Sequence, residues 1–93
     1  MCTLILINYE KSAFVPKSFE DFTEWSAVNK KLYTRIVELI KNVQRNPFEG
    51  MGKPEPLRHE LSGFWSRRIN EKHRLVYKVT DDEIIIVSCK FHY

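Results

Sequence analysis

The apolar residues Leu32, Ile36, Leu39, Ile40 and Val43 are spaced so that they fall on one stripe of an α-helix. Lys30, Lys31, Arg35, Glu38, Lys41 and Gln44 take the rest of the wheel. Asn29 is the expected N-cap. Pro47 ends the helix, because it lacks an N–H donor and pushes Asn46 out of helical conformation. Ahead of it, Ser18-Phe19-Glu20-Asp21 reads as a capping box opening a shorter helix over about 19–26, with Phe22 and the Trp25/Ser26 side as its apolar face. Further upstream, Leu4-Ile5-Leu6-Ile7 predicts a strand that continues toward Ala13-Phe14-Val15 and stops at Pro16. After Pro47 the period shortens to two. An extended piece is expected near 57–59, then strands at about 64–70, 74–79 and 83–91, parted by Gly63, Glu71-Lys72 and Thr80-Asp81-Asp82.

Short strands joined by tight turns imply an antiparallel meander, and a helical hairpin with one apolar stripe needs a sheet to cover it. The fold class is therefore α+β, with two N-terminal helices packed on one face of a twisted antiparallel β-sheet, in a single domain over residues 1–93. Alternation sorts the side chains. Trp65 and Ile69 oppose Phe64, Ser66 and Arg68; Leu75, Tyr77 and Val79 oppose Arg74, Val76 and Lys78. In the last strand Ile85, Val87, Cys89 and Phe91 are expected to oppose Ile84, Ile86, Ser88, Lys90 and His92. One face is then apolar, and the other collects Arg68, Arg74, Lys90 and His92.

Composition narrows the class. With 43% hydrophobic residues the chain is too apolar for disorder, and its N-terminal apolar run is far short of the roughly 20 residues that span a bilayer. It shows no signal-peptide pattern. Cys2 and Cys89 form neither a disulfide framework nor a metal spacing, which suits a reducing cytoplasm. The net charge of +3 is unevenly placed. Residues 51–80 carry Lys53, Arg58, Arg67, Arg68, Lys72, Arg74 and Lys78 against Glu55, Glu60 and Glu71, whereas the flanking segments are neutral or acidic. A local polyanion site fits that placement; a solvated charged face fits it equally well.

The chemistry available in this middle segment is that of metal-free RNA cleavage. RNA carries its own nucleophile, the 2′-OH, so a protein needs a base, a cationic clamp for the phosphoryl oxygens and an acid for the leaving 5′-oxygen. Glu55, Arg68 or Arg74, and His92 are of those types. No clustered Asp/Glu set suggests a magnesium site, and no metal or other cofactor is expected. Bland readings stand beside this one. Glu55 sits between prolines and could be merely solvated; Arg68 and Arg74 could pair with Glu71 or Asp81; His92 could be frayed. His59 and His73 lack metal-ligand spacing and read as surface or structural residues. Trp25 and Trp65 read as core.

Gly52-Lys53-Pro54-Glu55-Pro56-Leu57, Leu61-Ser62-Gly63-Phe64-Trp65-Ser66-Arg67-Arg68-Ile69, His73-Arg74-Leu75-Val76-Tyr77 and the closing His92-Tyr93 together closely resemble the YoeB branch of the RelE superfamily, toxins of bacterial type II toxin–antitoxin modules. The likeness begins near Phe14 and includes Trp25, the second helix and Asn46-Pro47-Phe48-Glu49-Gly50. It implies the RelE-like microbial ribonuclease fold and a ribosome-dependent endoribonuclease that cuts mRNA in the A site. By position Glu55 corresponds to the general base, His92 to the general acid, Arg74 to the group that stabilises the transition-state phosphate, and Tyr93 to the terminal tyrosine that orders the site. Arg58, His59 and Arg68 match positions that hold RNA; Lys53, Arg67 and Lys90 complete the candidate RNA-binding set. The implied partners are a YefM-type antitoxin, mRNA on the 70S ribosome, operator DNA only through the antitoxin complex, and a second copy in a homodimer.

Two features depart from the family pattern. Arg58 stands where Lys is common, and residues 1–10 form an atypical N-terminal extension. Two competing functions remain: a non-catalytic relic or DNA-bound corepressor acting with its antitoxin, and a ribonuclease active without ribosomes. Retention of Glu55, Arg74 and His92-Tyr93 speaks against the first.

Overall fold

A computed structural model describes residues 11–58 and 62–91. The element order is β1 (Lys11–Phe14), α1 (Pro16–Val28), α2 (Lys30–Arg45), β2 (Glu55–Pro56), β3 (Phe64–Arg68), β4 (Arg74–Val79) and β5 (Glu83–Ser88). The strands form one sheet in the order β1-β5-β4-β3-β2. The β2–β3, β3–β4 and β4–β5 pairs are antiparallel, as the meander predicts. The β1–β5 edge differs: it is parallel, with Ser12 opposite Ile84 and Phe14 opposite Ile86, because the helical hairpin carries the chain back across the sheet before the meander begins. The strand expected at residues 4–7 lies outside the described residues.

The hairpin forms for local reasons. Asn29 caps α2 as expected, its Oδ1 accepting the Leu32 N–H at 3.1 Å. Ile36, Leu39 and Val43 are fully buried, with Leu32 and Ile40 packed beside them. Asn46 is extended at φ −150°, ψ 99°, where Pro47 forbids another helical turn.

The start of α1 departs from the capping-box reading. Pro16, suited to the first helical position by its fixed φ, begins the helix three residues earlier, after Val15. Ser18 therefore lies inside the first turn, buried, and its hydroxyl is shared between the carbonyls of Val15 (2.8 Å) and Ile86 (2.9 Å). It fastens α1 to β5. Phe22 stacks between Phe14 (5.1 Å) and Tyr33 (5.0 Å), joining β1, α1 and α2.

The core lies between α2 and the sheet: Ile36, Leu39 and Val43 against Ile69, Leu75, Tyr77, Ile84, Ile86 and Cys89. Here the simple alternation in β5 fails. Tyr77 pairs with Ile86 but Val76 with Ser88, which leaves Val87 as the extra residue of a bulge. Ile84 and Ile86 thus face the core with Cys89, while Ile85 faces outward beside Lys78. The helices cover only this face. The other face carries Phe64, Ser66, Arg68, Arg74, Val76 and Lys78; no helix covers it, and Arg68 and Lys78 are exposed there while Ser66 and Val76 are buried beneath their neighbours.

Candidate functional site

The site is built on the loop that returns from α2 to the sheet, and that loop is organised by Arg67. Its side chain points into the molecule and is fully buried. All five of its N–H donors are used. Nε binds the Tyr77 hydroxyl (3.1 Å); Nη1 binds Asn42 Oδ1 (2.6 Å) and the Met51 carbonyl (3.1 Å); Nη2 binds the carbonyls of Asn46 (2.5 Å) and Glu49 (3.0 Å). These acceptors surround the C-terminal end of α2, where the helix dipole favours a cation. Tyr77 donates its own hydroxyl to the Pro47 carbonyl at 2.6 Å.

Two glycines complete the path. Gly50 has φ +123°, and a Cβ there would collide with Asn42 Oδ1. Gly52 has φ +79°, and its Cβ would stand 3.0 Å from both the Arg68 carbonyl and Leu39 Cδ2. The Gly52 carbonyl accepts the Arg68 N–H at 2.7 Å, which lays the loop against β3 and delivers β2 to the sheet edge.

Register then brings the polar groups together on the open face. Glu55 lies opposite Ser66 across β2–β3, Ser66 opposite Val76, and Arg68 opposite Arg74 across β3–β4. Arg74 Nη1 donates to Ser66 Oγ at 3.2 Å and lies 3.5 Å from Glu55 Oε1. Ser66 is buried, so its hydroxyl is a fixed support for the guanidinium. Arg74 is about one-quarter exposed and Glu55 mostly exposed. An exposed carboxylate beside a braced guanidinium can accept a proton while the cation holds an anionic oxygen. Arg68 stands exposed beside it, and Lys78 packs over the Phe64 ring at 5.6 Å.

The chain's C-terminal segment reaches this site as far as Phe91, whose carbonyl accepts the Arg74 N–H at 2.8 Å. The Phe91 N–H donates to His73 Nδ1 at 2.8 Å, and Trp25 Nε1 holds the Cys89 carbonyl at 3.1 Å. His92, Tyr93 and His59 lie outside the described residues. Among those described, Lys53 (in the left-handed region at φ 52°) and Arg58 are exposed along the loop. Lys90 turns toward α1, with Nζ 3.7 Å from Glu24 Oε1 and 6.0 Å from the Trp25 ring centre.

Arg67 requires a correction. The sequence reading counts it among the RNA-binding residues, but every donor it has is bound inside the protein. The two-residue period of β3 puts residue 67 on the same face as Trp65 and Ile69, toward the core. Ser66 and His73 were missed as parts of the site. The same alternation sets Ser66 beside Arg68 and Arg74, whereas His73 reads from the sequence only as a surface or structural residue opening the His73-Arg74-Leu75-Val76-Tyr77 motif. The salt bridge of Arg74 is with Glu55, not with Glu71 or Asp81. Among the described residues, no group of three or more His, Cys, Asp or Glu is placed to hold a metal ion.

Comparison with known proteins gives a consistent result. The family model described as "YoeB-like toxin of bacterial type II toxin-antitoxin system" matches residues 14–93. Toxin YoeB of Escherichia coli K12 is 57% identical over 77 residues, covering 83% of this chain and 92% of that protein. The YoeB dimer from Staphylococcus aureus superposes with a TM-score of 0.84 at 48% identity, covering 91% of this chain and 99% of the other. The toxin chain of the YoeB-YefM complex from the same organism gives 0.82 at 50% identity, covering 89% and 97%.

Proposed function

The chain belongs to the YoeB-like toxins of bacterial type II toxin–antitoxin systems, and from that premise we propose that it is a ribosome-dependent, metal-independent endoribonuclease that cuts mRNA in the A site and so stops translation. The observation that carries this reading is the Glu55–Arg74 pair, 3.5 Å apart and braced by buried Ser66 on a sheet face that no helix covers. Glu55 removes the 2′-OH proton. Arg74 neutralises the charge that builds on the phosphoryl oxygens as the 2′-oxygen attacks. His92 protonates the departing 5′-oxygen, and Tyr93 orders it. The first product is a 2′,3′-cyclic phosphate. Lys53, Arg58, His59 and Arg68 hold the RNA backbone, whereas Lys90, expected to join them, faces Glu24 on α1.

The physiological partner is a YefM-type antitoxin, as in the Staphylococcus aureus YoeB-YefM complex, and the free toxin forms a homodimer, as the Staphylococcus aureus YoeB does. Operator DNA is bound only through the antitoxin complex. A reaction on translating ribosomes places the protein in the cytoplasm, and no helix among the described residues is long and apolar enough to cross a membrane.

Primer extension on a defined mRNA, with and without 70S ribosomes, tests the proposal. Cuts should fall at the A-site codon and require ribosomes. Glu55→Ala, Arg74→Ala and His92→Gln should each slow cleavage by about 100-fold or more, with thermal midpoints close to the parent. Cuts on naked RNA would point to an ordinary ribonuclease. No cuts in any lane would favour the corepressor reading.

A further inference from the structure

His73 has no part in the proton transfers, yet the C-terminal segment is fastened through it. The residue is 7% exposed. Its backbone is fixed by the β3–β4 turn: its N–H donates to Asn70 Oδ1 at 2.7 Å, and its carbonyl accepts from Ile69 (3.0 Å) and Asn70 (3.2 Å). Its ring meets Trp25 edge-on at 4.9 Å and lies 5.5 Å from the Phe91 ring. Held this way, Nδ1 accepts the Phe91 N–H at 2.8 Å, while the following residue, Arg74, donates its N–H to the Phe91 carbonyl at the same distance. Both polar groups of the Phe91 backbone are thus tied to the start of β4.

The acceptor role imposes a protonation state. Nδ1 must present its lone pair, so the neutral ring carries its proton on Nε2. A second proton would set one donor against another and break the bond. We infer that His73 is a positioning residue: its neutral imidazole clamps Phe91, thereby fixing the chain one residue before His92, and its protonation opens the clamp. The catalytic consequence rests on the ribonuclease reading; the clamp itself does not.

The charges around the ring agree with a clamp closed at neutral pH. Burial is the largest influence, and Lys72 on the turn and Lys90 on the C-terminal segment act in the same direction, so the pKa of His73 lies below its usual 6.5. Arg74 follows on β4. From α1 comes Glu24, whose carboxylate lies 3.7 Å from Lys90 Nζ. A histidine with a depressed native pKa binds its proton more readily when unfolded. Its contribution to stability is therefore full above about pH 6.5 and is lost as pH falls through the lower native pKa.

Amide hydrogen exchange at Phe91, followed by NMR on the full chain without RNA, decides the matter. Protection there, corrected for the intrinsic rate, should fall about 10-fold or more as His73 takes up its proton, while Tyr77 in mid-β4 stays protected. His73→Phe keeps a packed ring but no acceptor. It should lose Phe91 protection at every pH and cut ribosome-bound mRNA about 100-fold more slowly in kcat, with KM little changed. His73→Asn, whose Oδ1 can stand near the place of Nδ1, should restore protection without its pH dependence. Protection that survives His73 protonation would overturn the clamp, and that arm needs no variant. Lost protection with undiminished cutting in His73→Phe would overturn the positioning role. A parent protein that cuts nothing would overturn the ribonuclease reading, and the exchange data would still decide the clamp.

Discussion

Arg67 shows how a single buried cation can organise a loop. Three of its acceptors are carbonyls between Asn46 and Met51, and the others are Asn42 Oδ1 and the Tyr77 hydroxyl. Removing the guanidinium strands these groups away from water. Arg67→Met is expected to cost about 3–5 kcal/mol in urea unfolding, and Arg67→Lys should recover only part, because three rotating donors cannot replace a five-donor fork. Activity should fall with stability in both, unlike Arg74→Ala, which should lose cutting at nearly full stability. This is also the residue at which a charge-based reading fails. Charge alone cannot separate a cation that meets solvent from one that meets carbonyls; the two-residue period could, since Trp65, Arg67 and Ile69 share a face.

At the level of elements, the parts that read correctly from the pattern are those with a local cause. The α2 stripe, the Asn29 cap and the Pro47 stop depend on neighbours within a turn or two. Asn29→Ala should lower stability by about 1 kcal/mol, and Asn29→Asp should hold it, since a carboxylate also accepts and suits a helix N-terminus; urea midpoints at constant slope would show it. What the pattern could not reveal depends on distant partners. The Val87 bulge answers to β4: strict alternation groups Ile84 and Ile86 with Lys90 on the polar face, opposite Cys89, whereas the bulge lets all three of Ile84, Ile86 and Cys89 reach the core. The parallel β1–β5 pairing and the turned-in hydroxyl of Ser18 likewise require the packed sheet. Glu55 and Arg74 were legible as residue types, but their pairing at 3.5 Å follows from register across three strands.

For the whole molecule, the division of the sheet into a covered and an open face separates stability from chemistry. Cys89 belongs wholly to the covered side. Burial raises its pKa to about 12, with Asp21 adding to the shift and Lys90 opposing it. The native protein should therefore resist iodoacetamide at Cys89 at pH 8, and peptide-resolved mass spectrometry should find it labelled only when urea opens the core. Rapid labelling in the native state would show that the β5 end opens independently of the core. The open face, in contrast, carries the polar constellation at little cost to the core, and so substitutions there should read out mainly in activity.

The parallel edge also sets a schedule. Ser12 must wait for Ile84 and Phe14 for Ile86 before β1 has a neighbour. At about 5–20 residues per second of synthesis, that interval is on the order of 4–14 s. Throughout it the nascent helical hairpin lacks Ile84, Ile86 and Cys89 from its cover over Ile36, Leu39 and Val43, and Ser18 has no Ile86 carbonyl to bind. Translation that aborts before residue 83 therefore yields a fragment with exposed apolar helices, matter for proteases. The β1 edge is thus closed only by β5, the last strand in the element order.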